Sequence, residues 1–316
     1  VDSSRQSTIV FNVVWTGAVF DYLRFFVCSL MGQSEARFRF VANGCTDASI
    51  AAMERFAESH PDRVVEVFNA CPGKMGAHGV ALDVVHEQRD DGEFFSLVDP
   101  DIKARGPFLA DFLDRLDGDC DAITSGRGVW CESDVVPPGH PGVAGEHFFR
   151  DDGFVYGSPH FAIYRRDALD ETRARWGVQF RNAGPDVPDE ARERLLAGGH
   201  DYRIFDTGKV LNILFQEDHR LCHYEHPELM HIGGMSHYLE PGAYVKRDGR
   251  DVPDWVRYES MASRFETARF TAEMLHALIE RDPLPVIPSE IDPALQDRLV
   301  TVRDEMVDLV DRYRSC

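Results

Sequence analysis

Lysine is almost missing from this chain. Four lysines stand beside thirty arginines, and 54 acidic residues leave a formal net charge of −20 over 316 residues. That balance argues against nucleic acid as a main partner, because phosphate backbones are held by clustered Lys and Arg. The charge reads first as a solubility device. A cationic acceptor, such as an amino-sugar or a basic peptide, is the sharper reading. The arginine bias itself reads as GC-rich coding rather than as chemistry. No apolar run reaches the roughly 20 residues that cross a membrane. Residues Val1 to Gln6 lack the charged-then-apolar layout of a signal peptide. The seven cysteines are odd in number and contain no CxxC pair. They predict reduced thiols and a cytoplasmic setting rather than a disulfide framework. Internal repeats and low-complexity segments are absent too.

What is present is ordinary globular material. Apolar residues make up 43% of the chain, so a packed core is expected. The length allows one large α/β domain or two smaller ones. Strands are predicted at Thr8 to Val14, Arg37 to Ala42, Val64 to Phe68 and Phe94 to Val98. Helices are predicted between them, at Phe20 to Met31, from Asp47 as an N-cap to Phe56, and at Gly79 to Gln88. Repeated βα units imply a doubly wound, mostly parallel sheet, whose ligands bind beyond the strand C-termini. After Ser125 a loop rich in Gly, Pro and aromatics runs to about residue 157; loops of that length are usually functional. A strand at His160 to Tyr164 and a helix at Asp189 to Leu196 follow. In Ile291 to Tyr313, apolar residues at steps of three and four define one stripe, with Asp292 and Pro293 as N-cap and N1. This helix is expected to dock on its own core, with a homodimer through it as the alternative. The domain reading is 1–126 for a first α/β half, 127–250 for the second half of the same domain and 251–316 for a helical C-terminal extension.

The chemistry is signalled by Phe94-Phe95-Ser96-Leu97-Val98-Asp99-Pro100-Asp101, an apolar run that stops at two carboxylates. Asp oxygens suit Mg²⁺ or Mn²⁺, which commonly bridge to phosphates. At this Asp frequency, about three Asp-x-Asp matches arise by chance. Three occur, including Asp117/Asp119 and Asp119/Asp121, but only Asp99/Asp101 follows a strand. Context therefore carries the signal.

Together these pieces resemble the metal-dependent, inverting glycosyltransferases of the GT-A fold, family 2. The resemblance rests on Phe26-Val27-Cys28-Ser29-Leu30, on Val41-Ala42-Asn43-Gly44-Cys45-Thr46-Asp47-Ala48-Ser49, on Leu97 to Asp101, and on Phe161-Ala162-Ile163-Tyr164-Arg165-Arg166-Asp167-Ala168-Leu169. It implies a transferase that moves a sugar from a nucleotide diphosphate sugar, with Mn²⁺ or Mg²⁺, to an acceptor. Asp101 is expected as a metal ligand, Asp99 as a contact to the ribose or the metal, and His231 as the ligand from far along the chain. Asn12, Thr16, Asn43 and Asp47 are expected near the nucleotide. Lys74 and His78, where a Gly-rich turn opens a helix, are expected at phosphate or sugar. Trp130 on the long loop is expected over a sugar or acceptor ring. Two departures stand out. Ala42 occupies the place of an acidic residue that helps hold the base, and the usual Glu-Asp pair is missing. Asp206 is the nearest substitute for a general base, with Asp201 and Glu217 as competitors.

Rival readings differ in class. Zinc is suggested by His219, His223, His226, His231 and His237, but no HExxH or CxxC arrangement supports it. A sugar-phosphate nucleotidyltransferase usually carries basic residues right after its first strand, and Trp15 to Phe20 has none. A non-catalytic sugar-binding module would not need the carboxylate pair. The absence of a membrane span and the acidic surface favour a soluble, small-molecule acceptor.

Overall fold

The computed structural model describes residues 3–118, 120–130, 148–150, 152–157, 159–200, 207–236, 244–247, 250–253 and 262–316. After a short helix α1 (Ser3–Gln6), the chain alternates β1 (Val10–Thr16), α2 (Phe20–Gln33), β2 (Arg37–Asn43), α3 (Asp47–Ser59), β3 (Val64–Cys71), α4 (His78–Gln88) and β4 (Phe94–Val98). Then come β5 (Ile102–Ala104), α5 (Leu109–Gly118), β6 (Ala122–Ser125), β7 (Phe161–Arg165), α6 (Arg166–Trp176), α7 (Asp189–Ala197), α8 (Lys209–Phe215), β8 (Leu221–His223) and β9 (Leu229–His231). A hairpin of β10 (Tyr244–Arg247) and β11 (Arg250–Pro253) precedes two long helices, Ala262–Glu280 and Pro293–Tyr313.

The central sheet has seven strands in the order β3-β2-β1-β4-β7-β6-β8. All neighbours pair parallel except β7, which runs antiparallel to both β4 and β6. This is the expected α/β architecture with one reversed strand. β1, β2 and β4 are buried along nearly their whole length, as strands covered on both faces must be. One apolar layer packs under α2, α5 and the two C-terminal helices, and the other under α4, α6 and α8.

Local chemistry explains the element ends. Helix α3 is capped by Thr46, whose hydroxyl accepts the Ser49 amide at 3.2 Å. Asp47, expected as the cap, is instead the first helical residue. The last helix starts as its sequence predicts: Asp292 accepts the Ala294 and Leu295 amides at 2.9 and 3.2 Å. Its stripe of Leu299, Val302, Met306 and Leu309 is buried inside this chain. That part of the stripe docks on the chain's own core, while Ile291, Leu295 and Tyr313 are half-buried.

The cysteines correct an expectation. Cys28 on α2 is disulfide-bonded to Cys316, and Cys120 to Cys222; Cys45 and Cys71 are free. Scattered positions hid this, because each pair is brought together by tertiary packing across 288 and 102 residues. The reduced-thiol reading is thus replaced by two covalent ties. Lys103, only 2% exposed, adds a polar one: its ammonium reaches Glu305 at 2.6 Å and Asp308 at 2.8 Å on the last helix.

One core group is expected to make the fold sensitive to acid, with the Asp170 carboxylate 3.0 Å from its ring nitrogen working against the effect. His86 on α4 packs edge-on against Phe95 at 5.0 Å. Burial first, then Arg173 and Arg166, lowers its pKa to about 3. A group whose folded pKa lies below its unfolded value supplies stability that is present above about pH 6.5 and is lost as pH falls toward 3. Urea unfolding at pH 7 and pH 4 should differ less in His86→Gln than in the parent, by on the order of 2 kcal/mol. Equal differences would remove His86 from the acid response.

Candidate functional site

The C-terminal ends of β1, β2 and β4 open on a pocket of about 350 Å³. Its walls include Thr16, Asn43, the Met75–His78 turn, Asp99, Asp101, His160, Thr207, His231, Ser236 and Arg264. A volume of this order is that of a small-ligand site.

Two registers assemble its centre. In the first, β5 pairs antiparallel with β9, placing His231 opposite Ile102. That sets His231 beside Asp101, with the Ile232 amide donating to the Asp101 carbonyl at 3.2 Å. In the second, β7 runs antiparallel to β4, with Phe161 opposite Val98. The residue before β7 therefore meets the residue after β4: the Asp99 amide donates to the His160 carbonyl at 2.7 Å.

The side chains converge accordingly. His231 Nε2 lies 3.2 Å from Asp101 Oδ1 and 3.7 Å from Asp99 Oδ2. His160 Nδ1 lies 3.0 Å from Asp99 Oδ2. Donor atoms of Asp99, His160 and His231 all fall within 4.8 Å of one another. Asp101 Oδ2 also accepts the Met235 amide at 3.2 Å. His231 Nδ1 is 2.6 Å from the Gly126 carbonyl, so that nitrogen must donate, and Nε2 faces the carboxylates. A carbonyl behind a ligating histidine fixes its ring and tautomer in just this way. Gly126 is held in turn by a chain of contacts. Glu225 accepts the Arg127 amide at 2.9 Å and meets His223 Nε2 at 2.6 Å, while His223 Nδ1 meets Thr124 Oγ1 at 2.8 Å.

Electrostatics follow from burial and pairing. Burial opposes charge on Asp101, yet His231 and the Met235 amide outweigh it and hold the carboxyl below its usual range. Burial likewise opposes charge on His231, and Asp101, Asp99 and the Gly126 carbonyl reverse that and raise it. Asp99, His160 and His231, with the Asp101 carboxylate 3.2 Å from His231, offer oxygen and imidazole donors that suit a divalent cation such as Mn²⁺ or Zn²⁺.

The other wall supplies donors for an anion. Helix α4 begins at His78 and presents its N-terminal end to the pocket through Gly76 and Ala77. Asn43 shapes this wall: its amide donates to the Gly76 carbonyl at 3.0 Å and accepts the Gly76 amide at 2.8 Å. Gly44 lets the chain approach, since at φ +65° a Cβ would collide with the Met75 backbone. The Thr16 hydroxyl is buried at the pocket wall and has no hydrogen-bond partner among the described residues. Buried hydroxyls seldom stay so unless a ligand or water serves them.

The expected residues divide. Thr16, Asn43, His78, Asp99, Asp101 and His231 line the pocket. Asn12 does not: it sits inside the sheet, donating to the Ser96 carbonyl and accepting from Arg39. Asp47 and Lys74 are exposed and outside the lining. Trp130 is 2% exposed and wedged against Gly128 and Gly233, where a Cβ on either would strike its indole. It buttresses the segment after His231 and does not line the pocket. Glu217 pairs with Arg194, outside the lining. Asp201, Asp206 and His237 lie outside the described residues. His219, His223 and His226 contact Glu171, Glu225 and Asp111, so the histidine group does not gather at His231. His160 and Arg264 were missed. The only signal for His160 was its place at the start of a strand whose direction the sequence does not state.

No protein-family model matches the chain, and no curated protein matches it. Solved structures do. Residues 1–349 of TarS from S. aureus match over 96% of this chain and 81% of that one, at 14% identity and a TM-score of 0.45. A mannosyltransferase from Pyrobaculum calidifontis, solved with GDP-Man and Mn²⁺, matches over 97% and 75%, at 16% identity and a TM-score of 0.39. The chain is similar to solved glycosyltransferases. It is also similar to 4-diphosphocytidyl-2C-methyl-D-erythritol synthase from Anaerococcus prevotii, over 70% and 89%, at 11% identity and a TM-score of 0.37. These likenesses concern the fold, and the chemistry rests on the chain's own site.

Proposed function

We propose that the chain is a divalent-metal-dependent glycosyltransferase acting on a nucleotide diphosphate sugar and a soluble, small acceptor. The observation that carries this reading is the convergence of Asp99, His160 and His231, with Asp101 3.2 Å from His231, in a pocket whose opposite wall is the N-terminus of α4. Asp101 and His231 are the proposed direct ligands, with His160 and Asp99 beside them, and Mn²⁺ the favoured ion over Mg²⁺ because two imidazoles join the set. Such a cation supplies Lewis-acid neutralisation of a departing diphosphate. The protein's own part is to hold that diphosphate between the carboxylate–imidazole cluster and the α4 amides. Thr16 stands ready to bond the nucleotide.

Transfer then needs the acceptor hydroxyl to lose its proton as its oxygen bonds the anomeric carbon and the nucleoside diphosphate leaves. Asp206, which immediately precedes the pocket residue Thr207 in sequence, is the proposed base for an inverting displacement, with Asp201 as the competitor. A nucleotidyltransferase is disfavoured, since no Lys or Arg follows β1 before α2. The two disulfides favour a working place where thiols are oxidised over the cytoplasm. Among the described residues, no helix is long and apolar enough to cross a membrane.

Thermal melts test the reading. A nucleoside diphosphate at about 100 times its Kd should stabilise the fold by roughly 2.7 kcal/mol, and only when Mn²⁺ is present. No shift with UDP, GDP or dTDP plus Mn²⁺, or the same shift in EDTA, would sink it.

A further inference from the structure

We infer that Glu225, which does not line the pocket, is a positioning residue for the cation: it fixes the peptide group that aims the His231 ring. The inference rests on the metal site of the proposed function and deepens it. Glu225 follows β8 and stands outside the pocket wall. Its carboxylate accepts the Arg127 amide on both oxygens, at 2.9 and 3.0 Å, and faces His223 Nε2 at 2.6 Å. An ionised carboxylate only accepts, so Nε2 carries a proton, and Nδ1 of the neutral ring accepts from the Thr124 hydroxyl at 2.8 Å. Thr124 and His223 are paired across β6 and β8. Two strands of the central sheet thus set where the carboxylate stands.

What Glu225 grips is one end of the Gly126–Arg127 peptide. The other end of that same peptide is the Gly126 carbonyl, which takes the His231 Nδ1 proton at 2.6 Å. A trans peptide is planar, so its N–H and C=O point in opposite directions. Fixing the N–H therefore fixes the carbonyl, and with it the ring whose Nε2 faces Asp101. A rotation of this peptide would turn the carbonyl away from Nδ1. The surroundings leave the peptide little other room. Gly126 has φ +91°, and a Cβ there would come within 3.1 Å of Ile102 and 3.2 Å of His160. The same segment holds the His231 backbone, since the Val129 amide donates to the His231 carbonyl at 2.8 Å. Charge adds to geometry. A carboxylate on the N–H polarises the peptide, which makes its carbonyl a stronger acceptor for His231. A group that orients a ligating histidine in this way acts on metal affinity without touching the metal.

The test is calorimetric titration of Mn²⁺ into the metal-free full chain, its Glu225→Ala variant and its Glu225→Gln variant. The His231 Nδ1–H proton is followed by NMR in the same metal-free proteins. Glu225→Ala should weaken Mn²⁺ about 10- to 100-fold. Its Nδ1–H resonance should be lost to exchange with water. Glu225→Gln keeps an oxygen for the Arg127 amide but lacks the charge. It should retain the resonance and lose a smaller part of the affinity. Mn²⁺ affinity equal to the parent's in either variant would overturn the inference. So would affinity lost from Glu225→Ala while its Nδ1–H resonance stays unchanged, which marks a defect that does not pass through His231. A parent protein that binds no Mn²⁺ would overturn the metal reading, and the inference with it.

Discussion

Asp101→Ala should abolish metal-dependent transfer while the protein stays folded. The carboxylate is 3% exposed and is held by Met235 on one oxygen and faced by His231 on the other. Removing it would take away a proposed ligand and leave His231 with Asp99, at 3.7 Å, as its remaining facing carboxylate. Loss of several kcal/mol of charge stabilisation at the departing diphosphate corresponds to a rate fall of about 10³-fold or more. The cost to folding is smaller. One backbone amide loses its acceptor, on the order of 1–3 kcal/mol. Asp101→Asn separates the two effects, since its amide oxygen still accepts from Met235 while the charge is gone. It should melt close to the parent and remain inactive. Asp117→Ala is the control from another Asp-x-Asp match: Asp117 pairs with Arg5, away from the pocket, and its loss should leave transfer unchanged. Retained activity in Asp101→Asn would end the metal assignment.

The second large effect concerns the tie between Cys316, just past the last helix, and α2. Cys28–Cys316 closes a span of 288 residues. Chain-entropy reasoning gives such a loop about 5.7 kcal/mol, just above the range usually measured. Cys316→Ser should therefore lower the unfolding free energy by about 3–5 kcal/mol in oxidised protein and change nothing in protein unfolded under reducing conditions. The second half of that comparison matters, because lost packing by a serine would lower stability in both. Lys103, reaching Glu305 and Asp308, and the buried stripe of the last helix keep that helix docked when the disulfide is cut. The variant should thus be less stable but not open. Alkylation of the denatured, unreduced parent supplies the direct check. Cys45 and Cys71 should be labelled, whereas Cys28, Cys316, Cys120 and Cys222 should not.

How much of this was legible in the chain depends on how local each signal is. The βα alternation, the capped last helix and the Asp99–Asp101 strand end were legible, because apolar runs and caps act within a few residues. Strand direction is not local. Nothing in Phe161 to Arg165 says that β7 runs against β4, and that reversal is what brings His160 to Asp99. Asn12 shows the cost of a misplaced boundary. The strand continues to Thr16, so Asn12 lies about 13 Å short of the ligand edge, in the core with Arg39. Trp130 was read as a platform for a ring of the substrate, while its partner is a guanidinium. Arg264 had no motif, since its distance from Asp101 in the chain hides their shared pocket. The disulfides failed for the same reason: pairing depends on packing, not on spacing.

The central claim is that Asp101, His231 and their neighbours hold a cation that binds a diphosphate. The most direct measurement is anomalous X-ray scattering at the manganese edge, from crystals grown with Mn²⁺ and a nucleoside diphosphate. The account predicts one strong peak within about 2.5 Å of Asp101 and His231 side-chain atoms, touching diphosphate oxygens in the pocket beyond β4. A peak elsewhere, or a nucleotide bound in that pocket with no metal between it and Asp101, would contradict it.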